Sequence, residues 1–403
     1  MTNWEDDEMV QRLREYLRIP SVHPDVDYDP CVKFLTKQAQ DLDLRIKVYQ
    51  LVAKKPVVVI SWEGAEPGLP SILLNSHMDV VPVYEEYWTR PPFEAQVSAD
   101  GFIYARGSQD MKSVGMAHLE AVRRLKGSGI RLKRTVHISF VPDEEIGSED
   151  GMRIFSESNE FKKLNVGFAL DESAPFQEPN KYIAFHGEKT SRQIKVTCRG
   201  EPGHGSLISA GTAGEKLHYI IDKFMTLRAQ ELKKVHNGTW TGDVISINLT
   251  QVEGGIQINV VPENLSVSFD IRIPPDVDHD EFEKMIENWC KEAGENVTFE
   301  YIVKNPEIKS TKVDGSVPFW TVIKEALREM GIEVNSVTCP GATDARFIRR
   351  HGIPAINLSP FDNTPLLLHA HDERLHVDTY RKGVQAMEKL VQALANCDQI
   401  HIN

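Results

Sequence analysis

Short apolar runs alternate with amphipathic helical segments in the first part of the chain, and this alternation limits the folds that it can adopt. The runs have the length of buried strands: residues 56–62, 71–76, 135–141 and 166–170. Between them, the apolar positions of residues 111–126 fall on one helical face, and a shorter helix is expected near residues 151–156. Strands separated by helices predict an α/β sheet that is covered on both faces.

A different pattern begins near residue 190, where apolar and polar positions alternate within single segments. Helices are expected at residues 213–235 and 280–291. Half-exposed strands are expected at residues 193–198, 244–250, 255–260, 265–273 and 297–303. Four of these five candidate strands, together with the two helices, would form a small sheet with one covered face, which predicts a second domain inserted into the first.

The length and the charge of the chain exclude some classes of protein. A chain of 403 residues favours two domains over one. The 46 basic and 59 acidic residues give a formal net charge of −13. A nucleic-acid binder needs a basic face, so this balance argues against one. Small anionic substrates stay possible, because a few cations inside a cleft can override the net field.

The N-terminal segment and the cysteines bear on the compartment. The first ten residues, MTNWEDDEMV, lack a basic region followed by an apolar one, so we expect no secretory signal. No apolar stretch has the length of a membrane span. The five cysteines are scattered and odd in number, which suits a reducing compartment. We therefore expect a cytoplasmic protein that does not bind membranes.

Ionisable residues follow several predicted strands at the point where each strand ends. In α/β folds, ligands bind at the carboxyl ends of the strands and in the loops beyond them. Asp110 stands just before the helix at 111–126, where the helix dipole favours a carboxylate. The residues that follow predicted strands or the apolar segment 366–368 are His77, Asp79, Glu144, Glu145, Glu172 and His369.

Each of these residues has an ordinary structural explanation when it is taken alone. A histidine at a strand end is usually a satisfied polar residue, a Glu-Glu pair is usually a solvated loop, and an aspartate before a helix is usually an N-cap. Their repetition at strand after strand favours a site, because crowded carboxylates repel one another unless a cation lies among them. Histidine and carboxylate ligands without cysteine suit zinc, manganese or cobalt in a hydrolytic site.

Five motifs then occur in order along the chain: SHMDVVP at residues 76–82, RGSQDMK at 106–112, PDEEIG at 142–147, FALDE at 168–172 and LLHAHDERLH at 367–376. Together they resemble the aminoacylase and carboxypeptidase family of two-zinc metallopeptidases, and the resemblance covers nearly the whole chain. It implies an α/β catalytic domain with a mixed sheet, formed by residues 1–188 and 308–403. Residues 189–307 would form an inserted α+β lid and dimerisation domain with a four-stranded sheet and two helices.

The resemblance also implies two Zn²⁺ per subunit, for which Co²⁺ or Mn²⁺ are possible substitutes. Asp110 would bridge the two ions, His77 and Glu172 would complete one of them, and Glu145 and His369 would complete the other. His369 is preferred over His371 because the family's ligand stands four residues before a glutamate, here Glu373. Asp79 would hold the imidazole of His77, and Glu144 would be the general base.

In the inserted domain, His204 lies in a glycine-rich loop and would stabilise the oxyanion, in this family from the partner subunit of a homodimer. Without the resemblance, an exposed turn histidine is the favoured explanation of His204. Asn259, Arg272 and Arg346 would bind the carboxylate or carbonyl of the substrate, and an arginine fork matches a carboxylate in two places. For Asn259 and Arg272, a solvated strand face is an equal alternative.

The function implied by the resemblance is hydrolysis of small N-acylated L-amino acids to a carboxylate and a free L-amino acid. The alternative within the same family is a dipeptidase or carboxypeptidase, which would need a pocket for a free amine. A third hypothesis is a binding protein that kept the fold and lost the chemistry. The presence of every implied ligand, and of Glu144, argues against this third hypothesis.

Overall fold

The computed structural model describes residues 4–315 and 317–398 and contains two compact units. The first unit comprises Met1–His186, Thr311–Ser336 and Thr343–Asn403, and the second comprises Gly187–Ser310 and Val337–Ala342. Residues 337–342 therefore group with the second unit, whereas the expected domain limits place them in the catalytic part. The division into a catalytic domain and a lid stays a prediction.

The helices are α1 (Glu8–Leu17), α2 (Asp29–Asp41), α3 (Lys112–Gly127), α4 (Met152–Glu157), α5 (Asn159–Lys162), α6 (Ala213–His236), α7 (His279–Ala293), α8 (Pro318–Arg328), α9 (Ala345–Arg350) and α10 (Val377–Asn396). The strands are β1 (Arg45–Val52), β2 (Lys55–Trp62), β3 (Ser71–His77), β4 (Gln96–Val97), β5 (Phe102–Tyr104), β6 (Val136–Val141), β7 (Val166–Asp171), β8 (Lys181–Glu188), β9 (Thr190–Arg199), β10 (Gly203–His204), β11 (Ser246–Gly254), β12 (Val260–Val261), β13 (Asn264–Ile273), β14 (Val297–Lys304), β15 (Glu333–Cys339), β16 (Ala355–Leu358) and β17 (Arg374–His376). Short 3₁₀ turns occur at Glu85–Tyr87, Glu144–Ile146 and Thr241–Asp243.

A mixed eight-stranded sheet has the strand order β1-β2-β6-β3-β7-β16-β8-β15. Strand β3 runs parallel to both β6 and β7, and β7 runs parallel to β16. Strands β1, β2 and β6 pair antiparallel, as do β16 and β8. The predicted α/β class with a mixed sheet is confirmed. The parallel centre matters for the site, because it brings the carboxyl ends of β3, β6 and β7 to the same edge.

Helices cover both faces of this sheet. Neighbouring residues of a strand point to opposite faces, so one strand contributes to two cores. Ile72 and Leu74 enter the core formed with α3, α8 and α10, whereas Leu73 enters the core formed with α4, α5 and α9. Burial on both faces explains why β3 reads as a continuous apolar run. The strands predicted at 56–62, 71–76, 135–141 and 166–170, and the helix at 111–126, are confirmed by β2, β3, β6, β7 and α3.

The second unit contains a four-stranded antiparallel sheet in the order β11-β13-β9-β14, with a separate pair of short strands, β10 and β12. Helices α6 and α7 contribute Phe224 and Ile286 to its core. The strand predicted at 255–260 is wrong, because residues 255–259 form a loop and a turn. Gly254 and Gly255 have φ of 126° and 83°, which ends β11, and the exposed Ile256 and Ile258 line no core.

Within residues 4–315 and 317–398, no helix combines the length and the apolar character that a membrane span requires.

His118 is a completely buried histidine of α3, and neither of its ring nitrogens has a hydrogen-bond partner among the described residues. Burial lowers its pKa to about 3. In the unfolded chain this group would titrate near its ordinary pKa of about 6.5. Between these two pKa values the unfolded state binds more protons than the folded state. The burial of neutral His118 therefore costs little stability above this pH range, and the free energy of unfolding falls as the pH drops through the range.

Replacing His118 with leucine should therefore reduce the sensitivity of the fold to acid. From pH 7 to pH 4, the wild type should lose about 3 kcal/mol more of its free energy of unfolding than His118→Leu. Urea unfolding of the metal-free proteins at both pH values measures the difference. Equal losses for the two proteins would contradict the prediction.

Candidate metal centre

The parallel strands place ionisable side chains at one edge of the sheet. His77 is the last residue of β3, and Glu172 directly follows β7. Glu144 and Glu145 lie in the 3₁₀ turn that comes shortly after β6. Asp110 lies two residues before α3 begins. This edge is the place where α/β folds bind their ligands.

The side chains form two groups that share one carboxylate. His77, Asp110 and Glu172 form one group and Asp110, Glu145 and His369 form the other, with the ligand atoms of each group within 4.8 Å of one another. The Nε2 atom of His77 lies 3.1 Å from Oδ1 of Asp110 and 3.4 Å from Oε2 of Glu172. The Nε2 atom of His369 lies 3.2 Å from Oδ2 of Asp110 and 3.1 Å from Oε2 of Glu145. The two oxygens of Asp110 therefore face different groups.

The electrostatics of both groups suit cations. Burial and the charge of Asp110 help to raise the pKa of Glu172 well above its usual range. Burial alone would lower the pKa of His77, but Glu172 and other carboxylates raise it well above its usual range. Hydrogen bonds to Asp110 and Glu145 raise the pKa of His369 to about 10. In the absence of metal, bound protons thus offset the crowded negative charge of these carboxylates. Divalent ions would displace those protons and offset the same charge.

The donor atoms also fit divalent ions. Each group offers one imidazole nitrogen and two carboxylates and no thiolate, a set that suits zinc, manganese or cobalt. In addition, Oε1 of Glu145 is buried without a hydrogen-bond partner among the described residues. A buried carboxylate oxygen with no donor needs some other positive partner.

Asp79 connects the His77 loop to the turn that carries the two glutamates. Its buried carboxylate accepts hydrogen bonds from the backbone N–H of Glu144 at 3.2 Å and from that of Glu145 at 3.0 Å. The Nδ1 atom of His77 lies 2.9 Å from the backbone carbonyl oxygen of Asp79 but 3.6 Å from its carboxylate. The carbonyl can accept the Nδ1 proton, which leaves the lone pair of Nε2 free for a metal ion.

His23 also contacts this carboxylate, although nothing in the sequence around it marks it as part of the site. Its Nε2 lies 2.8 Å from Oδ2 of Asp79, and a β-bridge joins Val22 to Val80 beside it. The two side chains are 56 positions apart in the chain. No motif or periodicity links them, so only the folded backbone reveals the contact.

Glu144 lies at the site but belongs to neither group. Its Oε2 is 4.0 Å from Nε2 of His77, and its side chain is largely buried. Burial and the charge of Glu172 raise its pKa well above the usual range. Glu145 points toward His369 instead. The 3₁₀ turn thus separates two adjacent carboxylates into one that joins a ligand group and one that does not.

The structure also separates the two histidines of the C-terminal motif. His369 has a left-handed backbone, with φ of 60°, and turns its ring toward Asp110 and Glu145. The ring of His371 packs instead against Tyr87, with a centroid distance of 5.3 Å. His369 is therefore the histidine that joins a ligand group.

In the second unit, two of the predicted residues come together. His204 ends β10, which pairs with β12 so that His204 lies opposite Val260. Asn259 directly precedes Val260, and its carbonyl accepts the N–H of Gly205 at 2.8 Å. The backbone N–H of Ser206 donates a hydrogen bond to Nδ1 of His204 at 3.2 Å, so a neutral ring carries its own proton on Nε2. Both side chains are exposed.

The two predicted substrate arginines have partners inside their own units. In the second unit, Arg272 forms a two-point ion pair with Asp270, with distances of 2.7 and 3.0 Å. In the first unit, Arg346 donates to the carbonyl of Thr343 at 2.7 Å and to that of Gly147 at 2.8 Å. Arg346 thus braces the segment after Glu145. Substrate contacts for both arginines stay predictions.

The family model for Peptidase family M20/M25/M40 matches residues 73–393, which is most of the chain. The chain belongs to this family. The resemblance to two-metal aminoacylases and carboxypeptidases is thereby confirmed. As an M20-family member, the protein is a hydrolase that acts on amide bonds.

Relatives of this M20-family chain agree with the match. Aminoacylase-1 of Mus musculus is 46% identical over 389 residues, which cover 96% of this chain and 95% of the relative. The M20 family metallo-carboxypeptidase Sso-CP2 from Sulfolobus solfataricus has a TM-score of 0.71 at 20% identity, covering 96% of this chain and 99% of that chain. The YXEP protein of Bacillus subtilis, a dinuclear metal binding peptidase from the M20 family, has a TM-score of 0.67 at 18% identity, covering 97% and 98%. These two structures share the fold.

Proposed function

We propose that the protein is a zinc-dependent amidohydrolase that converts N-acyl-L-amino acids to a carboxylate and a free L-amino acid. The observation that carries the proposal is the similarity to Aminoacylase-1 of Mus musculus along nearly the full length of both chains. Two ligand groups that share Asp110 support a two-metal hydrolytic site. Two Zn²⁺ ions are the proposed occupants, and Co²⁺ or Mn²⁺ would suit the same donors.

The residues of the site divide the work of amide hydrolysis among them. Bound ions would supply Lewis acidity, polarising the amide carbonyl and lowering the pKa of water to about 7. His77 and Glu172 would hold one ion, Glu145 and His369 the other, and Asp110 both. A buried carboxylate outside the ligand groups is suited to take a proton from water and deliver it to the leaving nitrogen. Glu144 is that carboxylate, and Asp79 would keep its turn in place.

Residues outside the metal centre would orient the substrate. The Nε2–H of neutral His204 is a donor suited to the developing oxyanion of the tetrahedral intermediate. Asn259 lies beside it and offers an amide to the same part of the substrate. Arg272 and Arg346 would bind the substrate carboxylate, which for Arg272 means sharing its guanidinium with Asp270.

We also propose a homodimer, in which the partner subunit supplies His204. Large apolar side chains near His204 stand in solvent in the single chain: Ile208, Ile256 and Ile258 are 106%, 98% and 104% exposed. Clustered exposed apolar residues of this kind mark interaction surfaces. Mixing inactive His204→Ala with inactive Glu144→Gln should restore part of the activity through mixed dimers. A protein that sediments as a monomer at working concentration would contradict the dimer.

A cytoplasmic location is proposed on the basis of the cysteines. Cys31, Cys198 and Cys290 are buried thiols, and none of these three forms a disulfide. Protein thiols persist where the compartment is reducing.

A matched pair of substrates tests the function. N-acetyl-L-methionine and glycyl-L-methionine differ only in one amine, which in the glycyl compound replaces a hydrogen of the acetyl methyl group. An aminoacylase should hydrolyse the acetyl compound with the higher kcat/KM, because burying the ammonium of the dipeptide costs free energy unless the acyl pocket supplies a partner for that charge. N-acetyl-D-methionine is the control for stereochemistry. Preference for the dipeptide would favour the dipeptidase alternative, and no release of methionine from any of them would contradict both.

A further inference from the structure

Glu373 is a completely buried carboxylate that lies against the loop carrying Asp110. Its Oε2 is 2.7 Å from Nη1 of Arg106 and 3.2 Å from the backbone nitrogen of Gly107. Its Oε1 is 2.6 Å from the backbone nitrogen of Gln109 and 3.3 Å from that of Asp110. One side chain thus accepts four hydrogen bonds from consecutive parts of a single loop.

The same contacts reach the loop that carries His369. Arg106, whose Nη1 donates to Glu373, also donates from Nη2 to the backbone carbonyl of His369 at 3.2 Å. The side-chain amide of Gln109 donates to the carbonyls of Pro365 and Arg374 at 2.9 and 2.8 Å. The loop of Asp110 and the loop of His369 are therefore joined through polar groups that meet at Glu373.

The loop of His369 has a backbone conformation that needs support. His369 has φ of 60°, which is uncommon for a residue with a side chain. A residue of this kind stays in place only where the surrounding structure holds it. Without Glu373, three backbone N–H groups of the Asp110 loop would lose the acceptor that faces them.

We propose that Glu373 is a positioning residue of the metal centre. It holds the Asp110 loop so that the two carboxylate oxygens face the two ligand groups, and through Arg106 it holds His369. This role rests on the proposed metal centre, and it concerns the affinity for the ions rather than the choice of substrate. Groups that orient metal ligands in this way typically contribute about 10- to 100-fold in metal affinity.

The test compares Glu373→Gln with a matched control, Glu120→Gln. Glu120 is also a buried carboxylate held by an arginine, with Arg12 at 2.7 and 2.9 Å. It lies about 12 Å along α3 from the first residue of that helix and contacts neither loop. Both variants lose a buried ion pair, so the control separates loss of stability from loss of metal affinity.

Three measurements on the full-length protein give the result. They are the Zn²⁺ dissociation constants by competition with a chromophoric chelator, the metal content per chain, and urea unfolding of the metal-free protein. We expect Glu373→Gln to bind Zn²⁺ about 10- to 100-fold more weakly. Its kcat should recover as free Zn²⁺ is raised to saturation. Glu120→Gln should lose stability and keep the wild-type dissociation constants.

Glu373→Asp is the second variant, because it keeps the charge but is one methylene too short to reach the whole loop. It should show an intermediate loss of affinity, and it serves the test if Glu373→Gln does not fold. Dissociation constants for the Glu373 variants within twofold of wild type would overturn the role of Glu373 alone. An equal loss in Glu120→Gln would overturn it as well. A wild-type protein that binds no metal would overturn the metal centre and this role together.

Discussion

Replacing Glu144 with glutamine is expected to lower kcat by about 10²- to 10⁴-fold, the usual contribution of a general base. Glutamine keeps the size of the side chain but cannot accept a proton from water. Because Glu144 belongs to neither ligand group, the metal content should stay at the wild-type value. Steady-state kinetics on N-acetyl-L-methionine and elemental analysis of the same samples measure both effects.

The neighbouring residue provides the control for this prediction. Glu145→Gln removes a ligand from the group of Asp110 and His369 and should lower the metal content as well as kcat. The two variants differ by one position in the chain and make the same chemical change. Full turnover in Glu144→Gln would refute its role as the base. Loss of metal from Glu144→Gln would instead make it a ligand.

Replacing Asp110 with alanine is expected to remove both metal ions. The transition-state stabilisation, obtained from the ratio of the kcat/KM values, should fall by several kcal/mol. Asp110 is the one residue that both ligand groups share among the described residues, and its two oxygens face the two histidines. Without Asp110, each group keeps only one imidazole and one carboxylate. Elemental analysis and kinetics with added Zn²⁺ or Co²⁺ measure the outcome.

His369→Ala is the comparison for Asp110→Ala, because His369 belongs to one ligand group only. It should lose metal from that group and keep the ion held by His77, Asp110 and Glu172. Removal of metal from the wild type with a chelator should abolish activity, and added Zn²⁺ should restore it. An Asp110→Ala protein that retains two ions, or a wild type that stays active without metal, would contradict the two-metal assignment.

The strand ends were predictable from local pattern alone. The central strands are buried on both faces, so they read as apolar runs, and the polar residue that ends each run stands out. His77 and Glu172 are found in this way, since they end or follow β3 and β7. The parallel pairing of β3 with β6 and β7 then brings these ends together. Local sequence therefore contained most of the candidate site.

The second unit contains a segment whose local pattern does not predict its structure. Residues 255–260 alternate apolar and polar side chains, as a half-exposed strand does, yet residues 255–259 form a loop and a turn. The left-handed conformations of Gly254 and Gly255 end the preceding strand. Alternation predicts a strand only when one face has a partner to pack against, and Ile256 and Ile258 are exposed in this chain.

By itself, the sequence determined the α/β class, the strands β2, β3, β6 and β7 and the residue types that come together at the candidate metal centre. The motifs also determined membership of the M20 family. Only the tertiary structure decided how the atoms face one another. It gave Asp110 one oxygen for each histidine, kept Glu144 beside His77 but outside the ligand groups, and placed His23 and Glu373 behind the loops. The physical reason is that these contacts join residues far apart in the chain, so no local spacing encodes them.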